Sequence, residues 1–291
     1  MAAGRSTRQP LVIVGFGRLG GALALGLRAR RWPLVVFPRS DASVRRAVEL
    51  GFRLADHETL AGAAACILAV PDRVIRERAE VLAPDLGKKT ALVHCAGALT
   101  LDAFGPSKVV RSRPLASFHP LVAVSSLDDP LAGHTVALSA TARALMGALK
   151  RMAADLGLQA IEVPERTRAA YHAGAVLAAG GAVALLSSAV QAFDSAGIAE
   201  APAIRALIAL MRSALRGAER RGLTAGLTGP VVRGDAEIVR AQLAALPRPE
   251  SQLYRALSLF ALDLAHDRLT PEQRGELEDA LADRQGGRGR G

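Results

Sequence analysis

His119 stands in Ser117-Phe118-His119-Pro120-Leu121. An imidazole exchanges its proton near neutral pH, which hydride transfer to a carbonyl or imine asks of a neighbouring group. Tyr171 and His172 are a second pair with exchangeable protons. Neighbouring helix positions diverge by about 100°, so only one of that pair is expected to point squarely into a cleft. Structural uses compete with chemical ones: Pro120 can fix His119 in a loop, and a buried His172 can satisfy a carbonyl. Thr228 and Arg233 lie in a Gly/Pro loop, Leu227 to Asp235, that is expected to close over a substrate. There Arg233 either grips a carboxylate or pairs with Asp235, and Asp235 is expected to cap a helix starting at Ala236. No metal is expected.

The redox partner for such chemistry is written near the N-terminus. Gly15-Phe16-Gly17-Arg18-Leu19-Gly20 follows the apolar run Leu11 to Val14 and opens an Ala/Leu-rich helical stretch. In that strand-to-helix context Gly15 serves the tight turn, Gly17 lets backbone approach a pyrophosphate, and Gly20 lets the helix pack on the strand. The next strand ends Phe37-Pro38-Arg39-Ser40, where an NAD enzyme commonly presents a carboxylate. A guanidinium and a hydroxyl suit a 2′-phosphate, so NADP(H) is expected over NAD(H). Asp41, the acidic rival, is expected to cap a helix starting at Ala42. Val70-Pro71-Asp72 and Cys95-Ala96-Gly97 each close a strand and are expected to line the cofactor, with capping an equal use for Asp72.

The elements that must hold these groups follow from periodicity. Apolar runs at Leu11 to Val14, Leu34 to Phe37, Cys66 to Val70 and Ala91 to Cys95 alternate with helical patterns at Gly20 to Arg30 and Arg73 to Leu82. That order predicts an α/β Rossmann domain with a mostly parallel sheet. Thr135 to Ser139 and Gln159 to Val163, flanking a helix over Thr141 to Leu156, are expected to extend it. From Pro164 the pattern is helix after helix, broken at Gly197, Gly222 to Gly229 and Pro247 to Pro249. The expected division is a Rossmann domain over 1–165, an all-α domain over 166–284 and a disordered tail over 285–291.

Composition narrows the partners. The net charge of +10 comes almost wholly from arginine, since Lys88, Lys89, Lys108 and Lys150 are the only lysines, and asparagine is absent. The arginines are scattered rather than striped among aromatics, so nucleic acid is not expected as a partner. Cys66 and Cys95 form no visible framework, which fits a reducing, cytoplasmic setting, and the N-terminus has no apolar segment of a secretory signal. Ala169 to Phe193 is uncharged and long enough to span a bilayer, but its Ala/Gly content with His172, Ser187, Ser188 and Gln191 reads as a helix buried in an α-helical domain. A membrane is therefore not expected, whereas a homodimer through close-packing small residues of the helical domain is.

Gly15 to Gly20, Ala69 to Asp72, His94 to Leu99, Ser117 to Leu121, Tyr171 to Ala173 and Leu227 to Asp235 together resemble the Rossmann-like, DUF2520-domain proteins of the 6-phosphogluconate-dehydrogenase-like superfamily. The resemblance spans roughly residues 9 to 265 and implies an NAD(P)-dependent oxidoreductase of unspecified substrate. The His119-Pro120 pair is also similar to the catalytic histidine segment of prephenate and arogenate dehydrogenases. The catalytic lysine and asparagine of related hydroxyacid dehydrogenases and ketopantoate reductases have no counterpart: the chain has no asparagine, and no lysine after Lys150. Ala96 and Gly180 stand where relatives often have serine and asparagine. The expected activity is NADP(H)-dependent reduction of a small carbonyl or imine bearing a carboxylate, ketopantoate being one possible 2-keto acid. The alternatives are a non-catalytic NADP(H)-binding sensor or scaffold and a prephenate-dehydrogenase-like oxidation.

Overall fold

The computed structural model describes residues 9–282. The chain divides into two compact units, one up to Ala179 and one from Gly180. The tail expected over 285–291 lies outside the described residues.

The first unit is built on a seven-stranded sheet in the order β2-β1-β3-β4-β5-β6-β7. Its strands are β1 (Leu11–Val14), β2 (Leu34–Phe37), β3 (Ala65–Leu68), β4 (Ala91–His94), β5 (Leu115–Leu121), β6 (Thr135–Ala140) and β7 (Gln159–Glu162). All neighbours run parallel except β5 and β6. All four residues of β1 are buried because helices cover both faces of the sheet. Alternation sends Leu11 and Ile13 into one core with Leu23 and Leu27, and Val12 and Val14 into the opposite core with Ile75 and Leu82. The helices of this unit are α1 (Arg18–Ala29), α2 (Asp41–Glu49), α3 (His57–Ala61), α4 (Ile75–Leu82), α5 (Lys108–Arg111), α6 (Arg143–Asp155) and α7 (Arg168–Val176).

One expectation about this sheet is corrected. His119-Pro120 is not a loop but part of β5, paired to β6 as His119 with Ala137 and Pro120 with Val136. Proline is tolerated there because β4 accompanies β5 only as far as Ser117. Beyond that point β5 has a single ladder partner, and a missing N–H on the open side breaks no sheet bond.

The second unit contains α8 (Ala182–Ser195), α9 (Glu200–Gly226), α10 (Pro230–Arg233), α11 (Ala236–Ala245), α12 (Glu250–Leu264) and α13 (Pro271–Leu281). Val231, Val239, Leu262, Leu277 and Leu281 form its main core, and Val190 packs with Ala203 and Leu207 in a smaller one. Gly222 interrupts α9 at φ 80°, ψ 169°.

The uncharged helix is not buried as expected. α7 and α8 are joined by a π-helical turn at Leu177–Gly181, and few side chains from Glu165 to Ser195 are enclosed. Alanine and glycine give this stretch little side chain to bury: Arg168 is the buried residue of α7 and Val190 that of α8. By length and composition the stretch is apolar enough to cross a membrane.

Candidate active site

β1 ends against the glycine turn. Gly15 has φ +90°, and a Cβ on it would lie 2.5 Å from the Ala69 carbonyl oxygen. A Cβ on Gly20 would strike the Gly15 carbonyl, which ties α1 closely to the turn. Gly17 differs, because a Cβ there would meet nothing within 4 Å. Gly17 is the N-cap of α1, with no side-chain cap and no acidic residue in the first turn. This helix end therefore presents unsatisfied N–H groups and positive dipole charge next to open space, which fits a dinucleotide pyrophosphate.

That space is a cavity of about 650 Å³ lined by Gly15, Phe16, Gly17, Arg39, Ser40, Val70 and Pro71. Arg46 and Arg78 also line it, and no carboxylate does. Asp41 is exposed in the first turn of α2 and does not cap it. The cap is Ser40, whose hydroxyl accepts from Ser43 N at 3.3 Å while Ser43 Oγ accepts from Ser40 N at 3.1 Å. A serine supplies this capping box because its short side chain reaches back to the third amide of the helix.

A second cavity of about 420 Å³ shares Gly17, Ala69, Val70 and Pro71 with the first. Arg18, Leu19, Asp72, Cys95, Ala96, Gly97, His119 and His172 complete its reactive side, so most of the residues expected from the sequence converge on one groove. Asp72 caps nothing: it begins a 3-10 turn, Asp72–Val74, that leads into α4, and neither element has a side-chain cap. Cys95 is buried beside the cavity, and burial pushes its thiol up to about 12.

Of Tyr171 and His172 only His172 lines the cavity, as the angular divergence of consecutive helix positions leads one to expect, yet both reach His119. His119 Nδ1 lies 2.7 Å from the Tyr171 hydroxyl, and its ring centre is 5.7 Å from that of His172. Long aromatic side chains bridge the angular divergence of consecutive helix positions. Gly97 makes room for them: a Cβ there would fall 2.7 Å from His172 Nε2 and 2.8 Å from His119 Cε1. Burial, and then the neighbouring His172 and Arg168, holds His119 down to about 4. Burial lifts Tyr171 to about 12. The unliganded pair is thus a neutral imidazole bonded to a phenol. His94, fully enclosed behind it, accepts the Ala96 N–H on Nδ1 and is likewise held down to about 4.

Thr228 and Arg233 belong to the second unit and line neither cavity. Arg233 Nε donates to Asp235 at 2.8 Å, and Asp235 occupies the N-cap of α11 without a side-chain capping bond. The expected cap is lost because the Asp235 carboxylate is taken by the guanidinium.

Three arginines were missed in the sequence. Arg46 is one turn after Ser43 on the cavity face of α2, a spacing that periodicity exposes. Arg78 reaches the groove from α4 while pairing with Glu77 at 3.2 Å, and no local signal marks it. Arg168 precedes Tyr171 and His172 by one helical turn and is the last charge before the uncharged stretch, a position from which it shares their helix face.

Residues 134–260, from the start of β6 into α12, match the family described as Domain of unknown function (DUF2520). No curated protein matches the chain. Among solved structures it is similar to BF3122 from Bacteroides fragilis, assigned as an NADP oxidoreductase, at 19% identity and a TM-score of 0.70, covering 88% of this chain and 98% of that one. It is similar to 1-pyrroline-5-carboxylate reductase from Streptococcus pyogenes at 17% identity and a TM-score of 0.61, over 89% and 98%. A reductive aminase from Aspergillus terreus, solved with NADPH4, cyclohexanone and allyl amine, gives 14% identity and a TM-score of 0.58 over 94% and 99%. Residues 134–260 thus match DUF2520, and the chain shares the Rossmann-like fold of these solved structures.

Proposed function

We propose that this protein is an NADP(H)-dependent oxidoreductase that reduces a small carbonyl or imine bearing a carboxylate, a 2-keto acid being the simplest case. The observation that carries the reading is the groove itself, in which the glycine cradle at Gly17 continues into the cavity of His119 and His172. NADPH, when bound, supplies the hydride.

The protein's own groups divide the remaining work. The first turn of α1 receives the pyrophosphate, and Arg39, with Arg46 and Arg78, holds the 2′-phosphate in a lining that contains no carboxylate. Ser40 retains its capping role and offers its hydroxyl at the same edge. Val70, Pro71, Cys95, Ala96 and Gly97 flank the reacting end. His119 is neutral in the free site, and a substrate carboxylate beside it raises its affinity for a proton. The anion itself thus converts the imidazole into an acid, with Tyr171 bonded to Nδ1 to fix the ring. The neutral imidazole equally serves as the base for oxidation of an alcohol, so the direction follows the supply of substrate.

The test is a titration of NADPH against NADH, followed in the same cuvette by keto acids, imino acids and prephenate. NADPH is expected to bind at least tenfold tighter, a difference of about 1.4 kcal/mol. Equal affinity removes the role given to Arg39. Tight binding with no turnover on any substrate points instead to a non-catalytic NADP(H) sensor, in which His119→Ala and His172→Ala have no turnover to lose. A cytoplasmic homodimer is part of the proposal, with exposed Leu210, Leu215 and Phe260 of the helical unit covered by a second copy. A monomer by light scattering refutes that part.

A further inference from the structure

Arg168 is a buried charge that the proposed reaction does not consume. It opens α7 one turn ahead of Tyr171 and His172, the spacing that places side chains on one helix face. Its side chain is 0% exposed. Nη2 donates to the Ala96 carbonyl at 3.1 Å and Nη1 to Ser139 Oγ at 3.3 Å. The Ser139 hydroxyl in turn meets that of Ser117 at 2.9 Å, a cross-strand pair of β5 and β6. The Glu165 carboxylate stands 3.9 Å from Nη1, while its other oxygen accepts the Leu101 N–H at 2.6 Å.

A guanidinium held mainly by neutral acceptors is costly to bury, and an apolar side chain of similar length fills such a space without that cost. What arginine adds is a fork that fixes two acceptors at once. One of them is the carbonyl of Ala96, the residue before Gly97, whose backbone sits so close to both imidazoles that no Cβ fits between. The position of the 95–97 loop and the positions of His119 and His172 are therefore coupled. Arg168 acts on both sides of that coupling, through the loop by its hydrogen bond and through the helix by its place on α7.

We propose that Arg168 is the positioning residue of the site: it clamps the 95–97 loop to the first turn of α7, so that His119, Tyr171 and His172 meet, and makes their meeting point electropositive. The preference for anionic substrates that follows rests on the redox reading above; the clamp itself needs no bound group. The titratable and charged groups around His119 are Tyr171, His172 and Arg168 from α7 and His94 from the end of β4, with Arg18, Asp72 and Cys95 lining the same cavity. Burial and His172 act on His119 more strongly than Arg168 does, so loss of Arg168 relieves it only in part.

The test uses the full chain without cofactor, isotope-labelled for NMR, as Arg168→Gln and Arg168→Lys. In Arg168→Gln the His119 titration midpoint is expected to rise by roughly half a pH unit, and the Gly97 amide resonance to move. Arg168→Lys loses the fork, so the Gly97 resonance is expected to move in this variant too. A folded Arg168→Gln with an unchanged midpoint, or either folded variant with an unmoved Gly97 resonance, overturns the proposal. If Arg168→Gln does not fold, Arg168→Lys decides on the Gly97 resonance alone. NADPH titration of the same samples keeps the two readings apart, because failure of the parent chain to bind NADPH removes the redox reading and leaves the NMR result standing.

Discussion

Alanine at Gly17 and alanine at Gly97 are chemically the same change, and the fold predicts opposite consequences. At Gly17 the added methyl meets no protein atom within 4 Å, and φ is −80°. Replacing glycine by alanine at an N-cap costs about 0.5–1 kcal/mol, so the melting temperature is expected to move by roughly 1–4 °C. The methyl instead occupies the space where a pyrophosphate must approach the first turn of α1. Overpacking at a rigid contact costs about 1–3 kcal/mol, so NADPH affinity is expected to fall roughly 5- to 150-fold. At Gly97 the methyl lies within 2.8 Å of both imidazoles, and the loop has little freedom to retreat because Arg168 holds the Ala96 carbonyl. There the same overpacking falls on the folded chain itself, a loss of about 2 kcal/mol and roughly 4–8 °C in Tm. Calorimetry and a fluorescence titration of NADPH on both variants decide the matter. Gly17→Ala with parental affinity refutes the assignment of this helix end to the pyrophosphate. Gly97→Ala with parental Tm refutes the close approach of the two rings.

Arg39→Ala is expected to weaken NADPH by about 1–2 kcal/mol and leave NADH unchanged, since only the 2′-phosphate meets the guanidinium; isothermal titration with both nucleotides checks this. Ser40→Ala removes the N-cap of α2 and is expected to cost about 1 kcal/mol in urea unfolding. Tyr171→Phe leaves His119 Nδ1 without its 2.7 Å partner and is expected to lower kcat more than KM, by roughly 10- to 100-fold, if the ring must be fixed for proton transfer; an unchanged kcat removes that role. Stability is expected to fall with acid between about pH 6.5 and 4. In that window the unfolded chain binds protons at His94 and His119 that the folded chain, with both held down to about 4, refuses. For the fully enclosed His94 the loss across the window is about 3 kcal/mol, and urea midpoints in His94→Gln are expected to lose that share of the slope and keep the share of His119.

Much of the first unit was legible because its strands are short apolar runs closed by glycine or proline. β1 and β2 lie where the alternation put them, and β3, β4, β6 and β7 differ by a residue or two at their ends. β5 was not legible, since proline inside a run argues against a strand, and the rule fails here because β4 ends at His94, opposite Ser117, and leaves one side of β5 open. That pairing is a tertiary fact with no local trace. The same holds for Tyr171 and His172, where local helix geometry gave the directions of the two side chains correctly. It could not supply the place of His119 between them or the length of the rings that reach it. The stretch from α7 to α8 is expected to be buried because its Ala/Gly content and polar residues suit a bilayer poorly, but the same alanine and glycine leave it little with which to fill a core.

The missing lysine and asparagine take on a different meaning beside Arg168. A lysine at the reacting end delivers a proton and a positive charge together. This chain separates the two: the charge stands behind the Ala96 carbonyl on a guanidinium that does not deprotonate, and the exchangeable protons belong to His119 and Tyr171. A fixed cation next to the imidazole lowers its proton affinity, which by itself weakens an acid that must be loaded near pH 7. In the reaction proposed above, a negatively charged substrate reverses that penalty on arrival, so proton uptake and substrate binding become one event. The consequence is measurable as a proton taken up from buffer when a carboxylate ligand binds near neutral pH, and Arg168→Gln is expected to reduce the affinity for that ligand more than for its amide.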